Sequence, residues 1–203
     1  MTRVTPQADS SSEWEPQRRV IEAAQAGDLE ALASLYDTHI NQVYRYCLAR
    51  LGHVQDAEDV AEEIFLKMYN GLPSYQWRKV PFAAWLMRIA HNEVVSFTRR
   101  NGRRSTDTEL PEELLDRGSN NDPAENAERQ MALEDLRKAV ELLPEAQREV
   151  IILRFASGLS VADTARALGK QENNVKVLQH KGMQRLQVLM TPKYPELARN
   201  RHE

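Results

Sequence analysis

The sequence predicts an all-α fold of two small helical domains joined by a flexible acidic linker, the second domain containing a helix-turn-helix. Three observations carry this expectation. Apolar residues recur at helical spacing along almost the whole chain, and no run of alternating apolar and polar residues is bounded by turns. A stretch at 101–130 gathers Gly102, Pro111, Gly118, Asn120, Asn121 and Pro123 among acidic residues, a composition that separates domains. Near the C-terminus two amphipathic segments are divided by a short turn at Gly169, which is the helix-turn-helix pattern.

Each helix has its own signal. Residues 1–15 read as a disordered polar tail. After Pro16, Val20, Ile21 and Ala24 form a short apolar stripe that Gly27 interrupts, and Asp28 is suited to cap the next helix. A longer stripe runs through Leu29, Leu32, Leu35, Tyr36, Ile40, Val43, Tyr44, Cys47, Leu48 and Leu51 until Gly52 ends it. A third helix is expected from about 56 to 70, with Asp56, Glu58 and Asp59 near its positive N-terminal end and Gly71 and Pro73 closing it. An irregular aromatic loop at 73–80 precedes a fourth helix over 81–100, with Phe82, Trp85, Leu86, Ile89, Ala90 and Val94 inward. Beyond the linker, a helix is expected at 131–143, and Pro144 opens another that runs to Phe155 and stops at Gly158. Ser160 and Asp163 resemble a capping box for the helix at 161–168, and the last helix covers 172–190. Pro192 and Pro195 make residues 191–203 a frayed tail. The expected units are thus 16–100 and 131–190.

Charge and composition exclude several classes. A formal net charge of −3 and a pI near 6.0 argue against a protein that coats nucleic acid through bulk electrostatics, so any DNA contact must come from local patches. One such patch exists: Arg88, Arg99, Arg100, Arg103 and Arg104 are opposed only by Glu93 between residues 88 and 104. The next stretch reverses sign, with Asp107, Glu109, Glu112, Glu113, Asp116, Asp122, Glu125 and Glu128 against Arg117 and Arg129. No window is apolar enough to span a membrane and no signal peptide opens the chain. Cys47 stands alone in an apolar pattern, which reads as a small buried hydrophobe in a reducing compartment, so the cytoplasm is expected. His39, His53, His91, His180 and His202 have no metal-ligand spacing, and neither a phosphate-binding glycine loop nor a nucleophile elbow is present. The expectation is a protein without enzymatic activity, cofactor, metal or small-molecule substrate.

The final helix carries the most mechanistic signal. At about 100° per residue, Val175, Leu178, Gly182, Leu186 and Leu189 share one face, which must pack. The opposite face holds Asn173, Val177, His180 and Gln184, flanked by Lys176 and Lys181, with Asn174 at its margin. Such a helix fits the DNA major groove: Asn173 and Gln184 can pair with adenine, His180 with a purine acceptor, Val177 with a thymine methyl and the lysines with phosphates. The alternative reading of the pattern is a solvated polar face on a helical bundle.

Two separated motif sets then carry a family resemblance. LLPEAQREVIILRFASGLSVADTARALGKQENNVKVLQHKGMQRL at 142–186 resembles the C-terminal promoter-reading domain of extracytoplasmic-function sigma factors of the sigma-70 family. DAEDVAEEIF at 56–65, with WLMRIAHNEVVSFTRR at 85–100, resembles the N-terminal domain of the same family. The resemblance implies a subunit that binds core RNA polymerase through its β′ and β subunits and directs it to promoter DNA. In that reading Asp56, Glu58, Asp59, Glu62 and Glu63 lie on the helix that docks on a basic coiled coil of β′, as acids around an apolar seam of Val60, Ile64 and Met68. Asn92 matches a position implicated in capturing an unstacked base of the minus-10 element. Tyr75, Trp77 and Phe82 lie in or beside the loop where the pocket would form, because unpaired bases stack on aromatic rings. Trp85 keeps core spacing. Arg88, Arg99, Arg100, Arg103 and Arg104 suit phosphates. The family further implies an anti-sigma partner and an acidic linker running near the polymerase active site.

This chain departs from the family pattern at two points. Lys170 and Gln171 stand before the recognition helix where an apolar residue and a capping Ser are common, and Val177 and Leu178 replace a polar pair. Both bear on which sequence is read. The residues by themselves leave open a helix-turn-helix regulator that works without polymerase, and a helical adaptor that binds only protein.

Overall fold

Caps and close contacts decide where the helices begin and end in this computed structural model, which describes residues 15–77, 80–101 and 123–197. Helix α1 (Glu15–Gln25) leads into Asp28, whose Oδ1 accepts hydrogen bonds from the amides of Glu30 and Ala31 at 2.9 and 3.1 Å and so starts α2 (Leu29–Leu51). Gly52 ends α2 in the left-handed region (φ 69°), its N–H returning to the Leu48 carbonyl. Helix α3 (Val54–Gly71) follows, then a 3₁₀ turn at Leu72–Ser74, then α4 (Phe82–Asn101).

Helices α2, α3 and α4 pack on one another, and α1 lies against α2. Val43, Ile64, Phe82, Leu86, Met87 and Val94 are completely removed from water at their centre. Each such side chain contributes on the order of 1.5–3 kcal/mol by transfer out of water. Cys47 sits in the same core, and burial pushes its thiol well up, which makes it the inert apolar residue the sequence suggests.

The second half comprises α5 (Pro123–Glu141), α6 (Glu145–Ile151), α7 (Val161–Leu168) and α8 (Glu172–Met190). Among the described residues there is no strand. Ser160 caps α7, accepting from the Asp163 amide at 3.0 Å while its hydroxyl donates to Asp163 Oδ2 at 2.6 Å. Gly169 (φ 62°) makes the turn. Gly182 lets α8 approach α6 so closely that an added Cβ would lie 2.9 Å from Ile151 Cγ1.

Three boundaries differ from expectation. The segment expected as linker to residue 130 is helical from Pro123, because proline's fixed φ and missing N–H suit a first helical turn; the rest of the acidic stretch, 102–122, lies outside the described residues. The helix opened by Pro144 does not continue as α-helix to Phe155 but widens into a π-helical turn at Ile152–Ala156, where the Ser157 amide returns to the Ile152 carbonyl. Residues 191–197 are not frayed. They fold back on α5, with the Tyr194 hydroxyl donating to Asp135 Oδ2 at 2.8 Å and Lys193 pairing with the same carboxylate.

The halves also meet. Ile152, Leu153, Leu159 and Ala167 are buried together with residues of α2 and α4, and α7 lies along α4.

Candidate nucleic-acid interface

Helix α8 presents its polar side as an open stripe. Asn173, Asn174, Lys176, Val177, His180, Lys181 and Gln184 are all exposed, while Val175, Gly182 and Leu186 are buried beneath them and Leu178 and Leu189 are half-buried. Periodicity explains the split, since residues three and four apart share a face. Gln171 starts the helix without a side-chain cap, so its first amides face outward at the positive end of the helix dipole. A groove of about 500 Å³ between α7 and α8 is bordered by Arg166, Lys170, Gln171 and Asn173. Phosphate oxygens fit that chemistry, amides and cations together. The sequence reading missed Arg166, Lys170 and Arg185 here. Arg185 lies one turn beyond Lys181, a spacing that marks it as part of the same basic margin. Arg166 is held 2.8 Å from Asp163, which blunts its charge.

Helix α4 carries a second stripe. Arg88, Asn92, Val95 and Arg99 are exposed at four- and three-residue steps and so line one side of the helix. Val95 was not anticipated, though its spacing from Asn92 marks it. Arg100 is exposed but engaged, its Nη2 3.1 Å from the buried Glu93, which also pairs with Lys67 of α3. Arg103 and Arg104 lie outside the described residues.

The aromatic loop corrects the sequence reading. Phe82 is completely buried, and Tyr75 nearly so, its hydroxyl donating to the Val80 carbonyl at 2.8 Å and burial pushing its phenol up to about 12. Ring centroids of Tyr75 and Phe82 lie 4.9 and 5.4 Å from that of Trp85. These three form a packed aromatic cluster, so Tyr75 and Phe82 are not open to a base, and Trp85 packs as its spacing suggests. Trp77 remains half-exposed. It borders a cavity of about 290 Å³ together with Arg18, Glu22, Gln25 and Gln76. Gln25 anchors this corner, donating to the carbonyls of Leu72 and Tyr75 at 2.8 Å each. The α1 contribution carried no sequence signal, because it arises from a contact between elements some fifty residues apart in the chain.

Helix α3 provides an acidic surface. Glu58, Asp59, Glu62 and Glu63 are exposed, with Glu63 3.7 Å from Lys67. Asp56 does not join them: it is turned inward at the first turn, 4.0 Å from His53 Nδ1. Val60, Ile64 and Met68, expected as an outward seam, are buried in the chain's own core. The apolar surface beside the acids is instead a groove between α2 and α3, formed by Leu29, Leu32, Tyr36, Leu66 and Tyr69. Leu29 is 77% exposed and Leu66 58%. Leu66 lies outside the inward register of Phe65 and Met68, a register that only the packing of α3 on α2 and α4 defines.

Among the described residues no group of His, Cys, Asp or Glu could hold a metal ion, and no helix is long and apolar enough to cross a membrane.

Comparison with known proteins accounts for this arrangement. Residues 35–104 match the model of Sigma-70 region 2, and residues 133–186 that of Sigma-70, region 4. The ECF RNA polymerase sigma factor BldN of Streptomyces coelicolor is 35% identical over 186 residues, covering 91% of this chain and 69% of its own. SigD of Mycobacterium tuberculosis is 40% identical over 177 residues, covering 82% and 80%. In fold, the chain resembles CnrH, solved in complex with the cytosolic domain of CnrY (TM-score 0.67, 22% identity, 86% of this chain and 97% of that one). It also resembles RpoE, solved with the anti-sigma factor NepR from Bartonella quintana (TM-score 0.62, 24% identity, 78% and 96%). With both sigma regions matched in order, and relatives of this identity aligned over most of their length, the chain belongs to the ECF RNA polymerase sigma factors of the sigma-70 family.

Proposed function

We propose that this sigma factor engages core polymerase through the acidic face of α3 and the apolar groove beside it, reads the minus-35 element with α8, and captures and melts the minus-10 element with α4. In this reading residues 16–100 act as the docking and melting unit and α5–α8 as the upstream reader. The observation that carries it is the pair of exposed stripes, Asn173–Val177–His180–Gln184 on α8 and Arg88–Asn92–Val95–Arg99 on α4. The first, with Lys176 and Lys181 at its flanks, and the second each bring groups that hydrogen-bond base edges together with cations that meet phosphates. Asn173, Val177, His180 and Gln184 read bases, with Asn174 at the margin; Lys176 and Lys181 neutralise phosphates. On α4, Asn92 holds the unstacked base, Trp77 supplies the accessible ring, and Arg88, Arg99 and Arg100 track the backbone. Glu58, Asp59, Glu62 and Glu63 complement a basic partner surface, and Leu66 and Tyr69 supply the apolar contact that gives it affinity.

The exposed groove around Leu29 and Leu66 also needs a cover when polymerase is not bound, and a dedicated anti-sigma protein in the cytoplasm is the occupant we propose. The protein works without catalysis of its own. Run-off transcription with purified core polymerase over a genomic promoter pool tests the function. Promoter-specific transcripts that depend on this chain are expected, and their absence from every promoter rejects it. Tight operator binding by the isolated chain, as a dimer on two half-sites, would instead indicate a regulator independent of polymerase.

A further inference from the structure

The contact between the two halves of the chain is built around charge. Glu149 of α6 has a side chain only 6% exposed, although it comes from the half that reads the upstream element. Its Oε1 lies 2.7 Å from Nη2 of Arg50 on α2, itself 5% exposed. Its Oε2 accepts from the Tyr46 hydroxyl at 3.2 Å and lies 3.1 Å from His91 Nδ1 on α4. Arg50 reaches Glu145 as well, at 2.8 Å, and Gln42 Nε2 donates to the Ser157 carbonyl at 2.7 Å. One carboxylate from the second half is thus seated in a socket made by two helices of the first.

The socket is incompletely satisfied. Nε and Nη1 of Arg50 are buried without a hydrogen-bond partner among the described residues, as is Ser157 Oγ. Groups of this kind recover water when the surfaces separate, so the contact is held by the ion pair yet is expensive to keep dry.

Geometry makes release necessary. Helix α8 packs on α7 and α7 on α4, so the two reading stripes stand two helix spacings apart, about 20 Å at usual interaxial distances. The minus-35 and minus-10 elements are centred, by their names, about 25 base pairs apart, which is about 85 Å along B-DNA. The closed chain cannot touch both.

We infer that Glu149, seated between Tyr46, Arg50 and His91, is an ionic latch that holds the free sigma factor closed and must leave its socket before both promoter elements can be read. Closure itself needs only this chain's side chains; the consequence for promoter reading rests on the function proposed above. His91 faces the latch while its neighbour Asn92 faces outward on the same helix, which joins the socket directly to the minus-10 surface.

Dyes placed on the two halves of the full chain report the latch by single-molecule energy transfer, with no DNA or polymerase present. The wild type is expected mainly in a high-transfer state. Glu149→Arg and Arg50→Glu are each expected to raise the low-transfer population at least tenfold with helical content retained. Combining the two substitutions restores the pair with reversed charges and should recover most of the high-transfer state. Glu149→Gln, which keeps the shape, serves as the milder variant and should open the chain less than Glu149→Arg. A wild type already in the low-transfer state, single variants without effect, or a reversed pair that stays open would each overturn the latch. Adding core polymerase and a promoter that yields transcripts must drive the wild type to low transfer. Transcription from a chain that stays closed overturns the release requirement and leaves the sigma assignment standing. A latch that responds as described in a chain that never supports transcription rejects only the sigma function.

Discussion

Helix α8 and the loop that precedes α4 treat their recognition-suited side chains in opposite ways. The α8 stripe from Asn173 to Gln184 is open along its whole length, whereas Tyr75 of the loop turns inward and packs on Trp85, joined there by Phe82 from the first position of α4. A regular helix with one apolar side has no choice about where its other side points. A loop has such a choice, and large rings take the one that removes the most area from water. On this protein a polar surface on a rigid helix face is therefore cheap in stability, and of Tyr75, Trp77 and Phe82 only Trp77 stays half-exposed, beside Gln76 and α1.

The sharpest way to break this contrast is Phe82→Ala. Its ring fills the centre of the first-half core, so a loss of about 3–5 kcal/mol in denaturant unfolding is expected. A variant of normal stability that melts promoters poorly would return Phe82 to the base pocket. On the other side of the comparison, Asn173→Ala removes an exposed group and should leave stability unchanged. It should weaken binding of the holoenzyme to minus-35 duplex by on the order of 1–3 kcal/mol, concentrated at one base pair in a binding competition. Lys176→Ala in the same assay should weaken all sequences alike and flatten the salt dependence.

Gly182→Ala probes the packed side of α8. The new Cβ meets Ile151 at 2.9 Å, so overpacking costs about 1–3 kcal/mol and tilts the reading helix without touching it. Acid tests the junction between the two regions. Burial alone pushes the Glu149 carboxyl up, and the His91 hydrogen bond with the Arg50 charge more than offsets it, so the group sits below its ordinary value. A depressed carboxylate contributes stability that is full above its unfolded pKa and lost as pH falls through the folded one. With Tyr46, Arg50, His91 and Glu145 facing it, the interdomain contact should loosen in the wild type as pH falls below the ordinary carboxylate range, and Glu149→Gln should lack that step in the energy-transfer titration. The smallest effect belongs to Gln171→Ser. A hydroxyl at the uncapped start of α8 should add about 0.5–1 kcal/mol to thermal stability and shift no base preference.

Much of the fold was legible because its signals are local. Asp28, Gly52, Ser160 and Gly169 mark ends through their own side chains or their own φ angles, and the structure uses each as expected. The linker boundary was not, because α5 is polar over most of its length and buries few residues, Ala139 among them, against α6 and α8. The tail was misjudged for a related reason: its order comes from Asp135, more than fifty residues away. At the surfaces, the α8 face could be read residue by residue. Asp56, Val60, Ile64 and Met68 could not be sorted from Glu62, Leu66 and Tyr69 without knowing which side of α3 meets α2 and α4.

The amino-acid sequence by itself determined the helices, the helix-turn-helix and the family, since periodicity, caps and motif order are properties of neighbours along the chain. Only the tertiary structure decided that Tyr75 and Phe82 are core, that Leu29, Leu66 and Tyr69 are surface, and that Glu149 closes one half of the protein on the other. Those outcomes depend on which surfaces meet, and the free energy of burial and of buried charge is set by the partner, not by the residue alone.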